Sequence, residues 1–457
     1  MIARTLLAAS ALATLAAPLA AQDFAITGAT VAIGDGSDPI ENATVVVRGG
    51  RVVAAGAGIA VPPGVPTSDG AGTWVTPGIF ATVTNLGLLD VDAVTQSNDT
   101  AARNSPFSAA LDVSVAVNPA SQNVAVSRAA GITRAAVAPS STGSIFAGQG
   151  AMIDLGADGN AVRRARAFQY VELGEAGGRI AGGSRLAAHT LLRNALREAG
   201  RFGADSGIVS RGNQPPPVET GDDVPVDPRL TESGAERAGD VLLTRFDAAA
   251  LVPVVTGRQP LYVRVERGAD IRAALALTRE FPRLRMVLVG VAEGWTVAEE
   301  IAAANVPVIA DGLTDLPDSF ETLAATQSNI GRMRAAGVRV AINASAMQQP
   351  RYLPHFAGNL VALTRVPGAA GLAWGEAFAS ITSVPASISG YSGQLGVLAP
   401  GAIADVVVWD GDPLEVSSAP VRVYIDGIEQ PTDNHQTRLR DRYRDLDESD
   451  LPKAYDW

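Results

Sequence analysis

Val75-Thr76-Pro77-Gly78-Ile79-Phe80-Ala81-Thr82-Val83-Thr84-Asn85-Leu86-Gly87 is the stretch on which the reading of the fold turns. Pro77 fixes one backbone angle and Gly78 frees the next, so Thr76-Pro77-Gly78 supplies a turn. Ile79 to Thr84 then runs apolar and β-branched with no helical spacing, which predicts a short buried strand.

Outward from that strand, bulk properties narrow the function classes. The chain of 457 residues suits one large domain with a smaller one, and 47% hydrophobic content can bury a sizeable core. A net charge of −11 without a basic patch argues against nucleic acid as a partner. Cysteine is absent, so disulfides, thiolate metal sites and Cys nucleophiles are excluded. At the start, Arg4, the apolar run Thr5–Ala17 and the small residues Ala20 and Ala21 form the pattern of a secretory signal peptide over residues 1–21. A periplasmic or secreted location is therefore expected. No further run is long enough for a membrane span.

Residues 22–77 read as a small all-β unit: Phe24–Val31, then a hairpin of Ala43–Val47 and Arg51–Ala55 around Arg48-Gly49-Gly50. Such a unit cannot close a core alone. Its partner is expected in residues 391–430, where Pro400-Gly401 leads through Ala404-Asp405 into Val406–Trp409 and Asp412-Pro413 follows. Between them, residues 78–390 alternate strands and helices. Strands are expected at Ile132–Val137, Met152–Leu155, Phe168–Leu173, Pro260–Val265, Arg285–Val291, Val306–Ala310 and Val338–Ala344. Helices are expected at Ser184–Glu198, Ile271–Glu280, Thr296–Ala304, Ile330–Ala336 and Gly375–Ser383. Gly143 to Gly150 reads as a loop, residues 201–240 as an exposed insertion and residues 431–457 as a tail. Repeated βα units predict an α/β fold with a parallel sheet: a (β/α)8 TIM-like barrel, with a doubly wound open sheet as the alternative. No Gly-x-Gly-x-x-Gly turn supports the latter.

The Thr-Pro-Gly strand and the C-terminal Pro-Gly, Ala-Asp, strand, Asp-Pro succession together resemble the amidohydrolase superfamily, in its imidazolonepropionase-like branch, over nearly the whole mature chain. The resemblance implies a barrel beside a composite β-sandwich built from the two terminal segments, and a zinc-dependent hydrolase of C–N bonds. It also implies a metal held by His-x-His in the first strand, His in the fifth and sixth, and Asp after the eighth, some members adding a carboxylated Lys in the fourth. In this sequence Ala81 stands in the motif's Asp place and Val83-Thr84-Asn85 in the His-x-His place. Arg264 and Glu266 stand where the fifth-strand His is expected, Gly290 at the sixth and Ser345 in the Asp place. The only lysine is Lys453, and His189, His355 and His435 lie away from the strand ends. Val and Gly donate no lone pair, and Asn and Ser are weak ligands for zinc.

No metal cofactor is therefore expected, and the chain reads as a pseudoenzyme of this superfamily. It is expected to bind a small-molecule ligand, to pair with an active amidohydrolase paralogue, or to form a homo-oligomer. The binding candidates are Asn85, Arg264, Glu266 and Ser345. The alternative is a hydrolase with a rebuilt site, its catalytic candidates being Glu266, Arg264 and Glu293, because a carboxyl with a raised pKa beside an Arg can serve as acid, base or anion clamp. Against that stands a plain ion pair of Arg264 with Glu266 filling space, since burying one charge demands its partner. Glu293 at a helix start also suits the helix dipole.

Overall fold

The computed structural model describes residues 21–91, 93–205, 242–343 and 349–444. The expected signal peptide but for Ala21, nearly all of the expected insertion, Ser345 and Lys453 lie outside the described residues. Among the described residues, sixteen strands fall in two sheets of eight. In chain order they are β1 (Phe24–Val31), β2 (Ile40–Arg48), β3 (Arg51–Ala57), β4 (Thr67–Asp69), β5 (Trp74–Pro77), β6 (Ile79–Thr84), β7 (Ile132–Val137) and β8 (Phe146–Asp154). They continue as β9 (Val162–Glu172), β10 (Leu261–Val265), β11 (Met286–Gly290), β12 (Val308–Asp311), β13 (Val340–Asn343), β14 (Val406–Trp409), β15 (Pro420–Ile425) and β16 (Ile428–Glu429).

The two ends of the chain meet in one continuous sheet, ordered β16-β15-β14-β5-β1-β2-β3 with β4 on β1. The join is β14 against β5, antiparallel, with Val406 opposite Pro77 and Trp409 opposite Trp74. Where a sandwich was expected, the described strands thus pair edge to edge as a single mixed sheet. Gly78 is the crossing point to the barrel: its N–H donates to Asp405 O at 2.9 Å, and a Cβ there would run into the Thr133 side chain. That is why glycine, and not only a turn former, follows Pro77.

The second sheet runs β6 through β13 in chain order, as a barrel does. Its seam is β6 against β13. Thr82 Oγ1 donates to Ile342 O at 3.3 Å across it, while Phe80 N–H donates to Ile381 O and Ile342 N–H to Ser380 O, each at 2.9 Å. The Ser380–Ile381 segment therefore occupies the gap, and the ring of strands is nearly closed. Alternate residues sort into two apolar layers. Phe80, Phe168, Tyr262, Val289 and Ile309 fill the inside, whereas Ile79, Leu261, Val263, Leu288 and Val308 pack outward. Phe168 and Tyr262 stack at 4.2 Å between ring centroids, sealing the interior.

One strand departs from the parallel expectation. β8 is antiparallel to both β7 and β9. The connections on either side of it carry no helix, so the chain makes hairpins there instead of crossovers. Accordingly, the stretch read as a loop from Gly143 to Gly150 is strand from Phe146 onward, fully buried. The helices Gln122–Ala129, Glu175–Ile180, Arg245–Val255 and Leu353–Ala362 were not anticipated. Gly177-Gly178 and Pro253 sit inside two of them, residues that argue against helix on local grounds and are overridden by packing.

Candidate functional site: the acidic cup at the strand ends

A cleft of about 950 Å3 opens over the C-terminal ends of the barrel strands, where barrel proteins keep their chemistry. Its floor carries Val83, Tyr170, Arg264, Glu266, Gly290 and Asn343, and its rim Glu175, Arg179, Asp311, Asp318 and Glu321. Arg264 and Glu266, two apart on and just after β10, face the same way into it, as strand periodicity requires.

Arg264 is the hub. Its Nη2 lies 3.3 Å from Glu266 Oε1 and its Nε 3.8 Å from Glu172 Oε2. Glu172 reaches it because Arg264 and Glu172 are register partners on neighbouring parallel strands. Each carboxylate is also tied to backbone: Glu172 accepts from Gly174 N–H at 3.1 Å and Glu266 from Ala292 N–H at 3.0 Å. One guanidinium thus serves two buried carboxylates, with Glu321 adding further negative charge nearby. Burial pushes Glu266 up to about 7, outweighing the lowering pull of Arg264 and the Ala292 N–H. It pushes Glu172 up to about 7 as well. Burial also raises the Tyr170 hydroxyl, so that residue is a neutral phenol at physiological pH.

Gly290 explains how Glu266 fits. A Cβ at 290 would collide with the Glu266 carboxylate, and Gly290 holds a φ of +88°, which side-chain-bearing residues avoid. The carboxylate lies in the space a side chain at 290 would fill. Opposite, Val83 holds φ +41° within β6, where the register against β7 shifts between Ala81 and Thr84. A β-branched residue in that region is strained, and the bulge turns the Val83 side chain toward the cleft.

Of the residues singled out from sequence, the fold brings Val83, Arg264, Glu266 and Gly290 to one cleft. Asn85 is buried but does not line it, and its Oδ1 has no hydrogen-bond partner among the described residues. Glu293 also lies off the cleft lining: its two carboxylate oxygens accept from Gly268 N–H and Ala324 N–H, each at 3.0 Å, pinning a helix start to a loop. Tyr170 and Glu172 were missed. The available signal was a polar pair two apart at the C-terminal end of the buried half of β9. Among the described residues no group of three or more His, Cys, Asp and Glu is placed to hold a metal ion.

A second buried charge cluster lies between the barrel and the terminal sheet. Arg134 on β7 grips Asp405 with Nε at 2.6 Å and Nη2 at 2.8 Å, reaches Asp426 at 2.6 Å and lies 3.4 Å from Asp154. Arg163 pairs with Asp154 from the other side. Asp405 is the acid of the Ala-Asp pair seen in the sequence, and its place here is structural: it staples one sheet to the other.

Residues 283–434 match the Amidohydrolase family model, which spans the sixth barrel strand through β16. A 60-residue stretch is 50% identical to Amidohydrolase tasK of Hapsidospora irregularis, covering 13% of this chain and 6% of that protein's length. The crystal structure of an amidohydrolase from Thermotoga maritima superposes with a TM-score of 0.73 at 20% identity, over 89% of this chain and 99% of that one. The fold is therefore that of the Thermotoga protein, and residues 283–434 carry an amidohydrolase family domain.

Proposed function

We propose that this protein is an amidohydrolase-fold binding protein that holds a small polar ligand in the acidic cup and does not perform metal-dependent hydrolysis. The observation that carries the reading is the occupancy of the sixth-strand position: Gly290 offers no ligand atom, and the Glu266 carboxylate lies against it, held by Arg264. Val83 and Asn85 supply no strong donor in the first strand. This donor set does not fit a zinc ion. A ligand carrying both a cationic and an anionic group suits the cup, since Arg264 and Arg179 lie among five lining acids. Export to the periplasm or medium, and pairing with a His-bearing homologue, remain part of the proposal on sequence grounds.

Metal analysis of the purified chain tests the central point. Substoichiometric zinc that chelation removes without changing ligand binding is expected. One zinc per chain, needed for hydrolysis, would overturn it.

A second reading has its own observation. Glu172 and Glu266, both held near 7 beside one Arg, are poised to give and take protons at neutral pH. On this reading the cup hydrolyses C–N bonds without zinc. Turnover of acyl-amino acids or dipeptides that survives chelation and is abolished in Glu266→Gln would favour it over binding alone.

A further inference from the structure

At the opposite end of the barrel from the cup, a smaller hollow of about 340 Å3 lies where β10 and β11 begin. Arg164, Arg166, Arg258 and Arg285 line it, and no carboxylate does. In a chain of net charge −11, four guanidinium groups around one hollow run against the composition of the whole.

Their partners are few. Arg166 pairs with Asp112 at 2.8 Å. Arg164 donates to Ser389 O at 2.7 Å and lies 5.2 Å from the Tyr391 ring centre. Arg258 donates to Thr256 Oγ1 at 3.2 Å. Among the described residues, Arg164, Arg258 and Arg285 make no ion pair with a carboxylate. Like charges converge in this way only where the backbone places them. Arg166 holds φ +50°, in a part of β9 whose register against β8 shifts between Gly150 and Met152. Such a bulge re-aims the flanking side chains at a cost in strain. A further sign is Ser389, only 4% exposed, which lines the same hollow. Its Oγ makes no hydrogen bond of good geometry, and its near neighbour is the Tyr262 hydroxyl.

We propose that this hollow binds the tetrahedral oxyanion of a small phosphate- or sulfate-bearing molecule. Arg164, Arg258 and Arg285 supply the forked donors that match such oxygens, and the Ser389 hydroxyl donates to one of them. The site lies on the barrel face that does not carry catalysis, so the anion is held and not transformed. Nothing in this assignment depends on the reading of the cup.

Isothermal titration of the full mature chain with inorganic phosphate, sulfate and glycerol phosphate tests it, at low and at high chloride. One saturable site is expected, weakening as chloride rises. Arg285→Ala and Arg258→Ala are each expected to lower affinity about tenfold. Both arginines are exposed and lack carboxylate partners, so these variants keep the fold, which circular dichroism checks. Arg272→Ala, which removes an exterior pair with Glu300, is expected to bind normally. Absence of saturable binding for all three anions, or unchanged affinity in Arg285→Ala, overturns the site. So does sedimentation with phosphatidylglycerol vesicles without binding of soluble phosphate, which would assign the arginines to a lipid surface.

Discussion

Arg134 and Arg264 each gather buried carboxylates, and the two clusters do opposite things. Around Arg134, the acids come from three places in the chain, and a second arginine, Arg163, shares Asp154. The Asp405 grip is two-pronged and shut away from solvent. Around Arg264, one guanidinium meets two glutamates edge-on at 3.3 and 3.8 Å, and the group opens onto a cleft. The first arrangement spends its charge on geometry, locking sheet to barrel. The second buries its carboxyls beside a cleft with a single guanidinium to serve them, and burial, outweighing the pull of Arg264, keeps them protonated near neutrality. A buried ion cluster is thus not a functional signal by itself; incomplete pairing beside a cavity is.

The contrast can be broken most forcefully at its structural member. Arg134→Met leaves Asp405 buried without its cation and Asp154 with Arg163 alone, and is expected to cost about 3–5 kcal/mol in urea unfolding. A loss under about 1 kcal/mol would mean that the staple is ornamental. Next in size, Gly290→Ala drives a Cβ into the Glu266 carboxylate at a φ of +88°. A loss of about 2 kcal/mol is expected, and a near-neutral result would show that the carboxylate does not fill that space.

A smaller effect concerns pH. The folded state holds Glu266 protonated up to about 7, whereas an unperturbed Glu titrates at 4.5. Between those values the folded chain binds more protons than the unfolded one, so stability falls as pH rises through that window. The expected change for Glu266 is on the order of 2 kcal/mol, and Glu266→Gln should lessen the slope in denaturation curves taken across it, Glu172 supplying the remainder. A slope unchanged in the variant would place the titration elsewhere. Smallest of all, Glu293→Gln loses part of two backbone contacts and is expected to cost about 1 kcal/mol.

How far the sequence carried the reading depends on what kind of information each feature needed. β1 and β7 were legible to the residue, because turn signals bound them closely. The antiparallel β8 was not, since a fully buried strand shows the same apolar run whichever way it points. The lack of helix-forming sequence on either side was the clue available. Arg264 and Glu266 could be placed on one face from spacing alone. Glu172 joined them only through strand register, which pairs residues far apart in the chain. Glu293 looked equally promising, yet two backbone N–H groups consume its carboxylate.

From the order of residues alone came the alternating strands and helices of a parallel α/β fold; the union of the two chain ends and the strand tips at which to look for metal donors came from the family resemblance. The alternation rests on local rules: turn chemistry and hydrophobic periodicity. Which acids meet Arg264, why position 290 has no side chain, and that Asp405 serves as a staple were settled only by folding. Each depends on distances between distant segments, and on how much water is left between them.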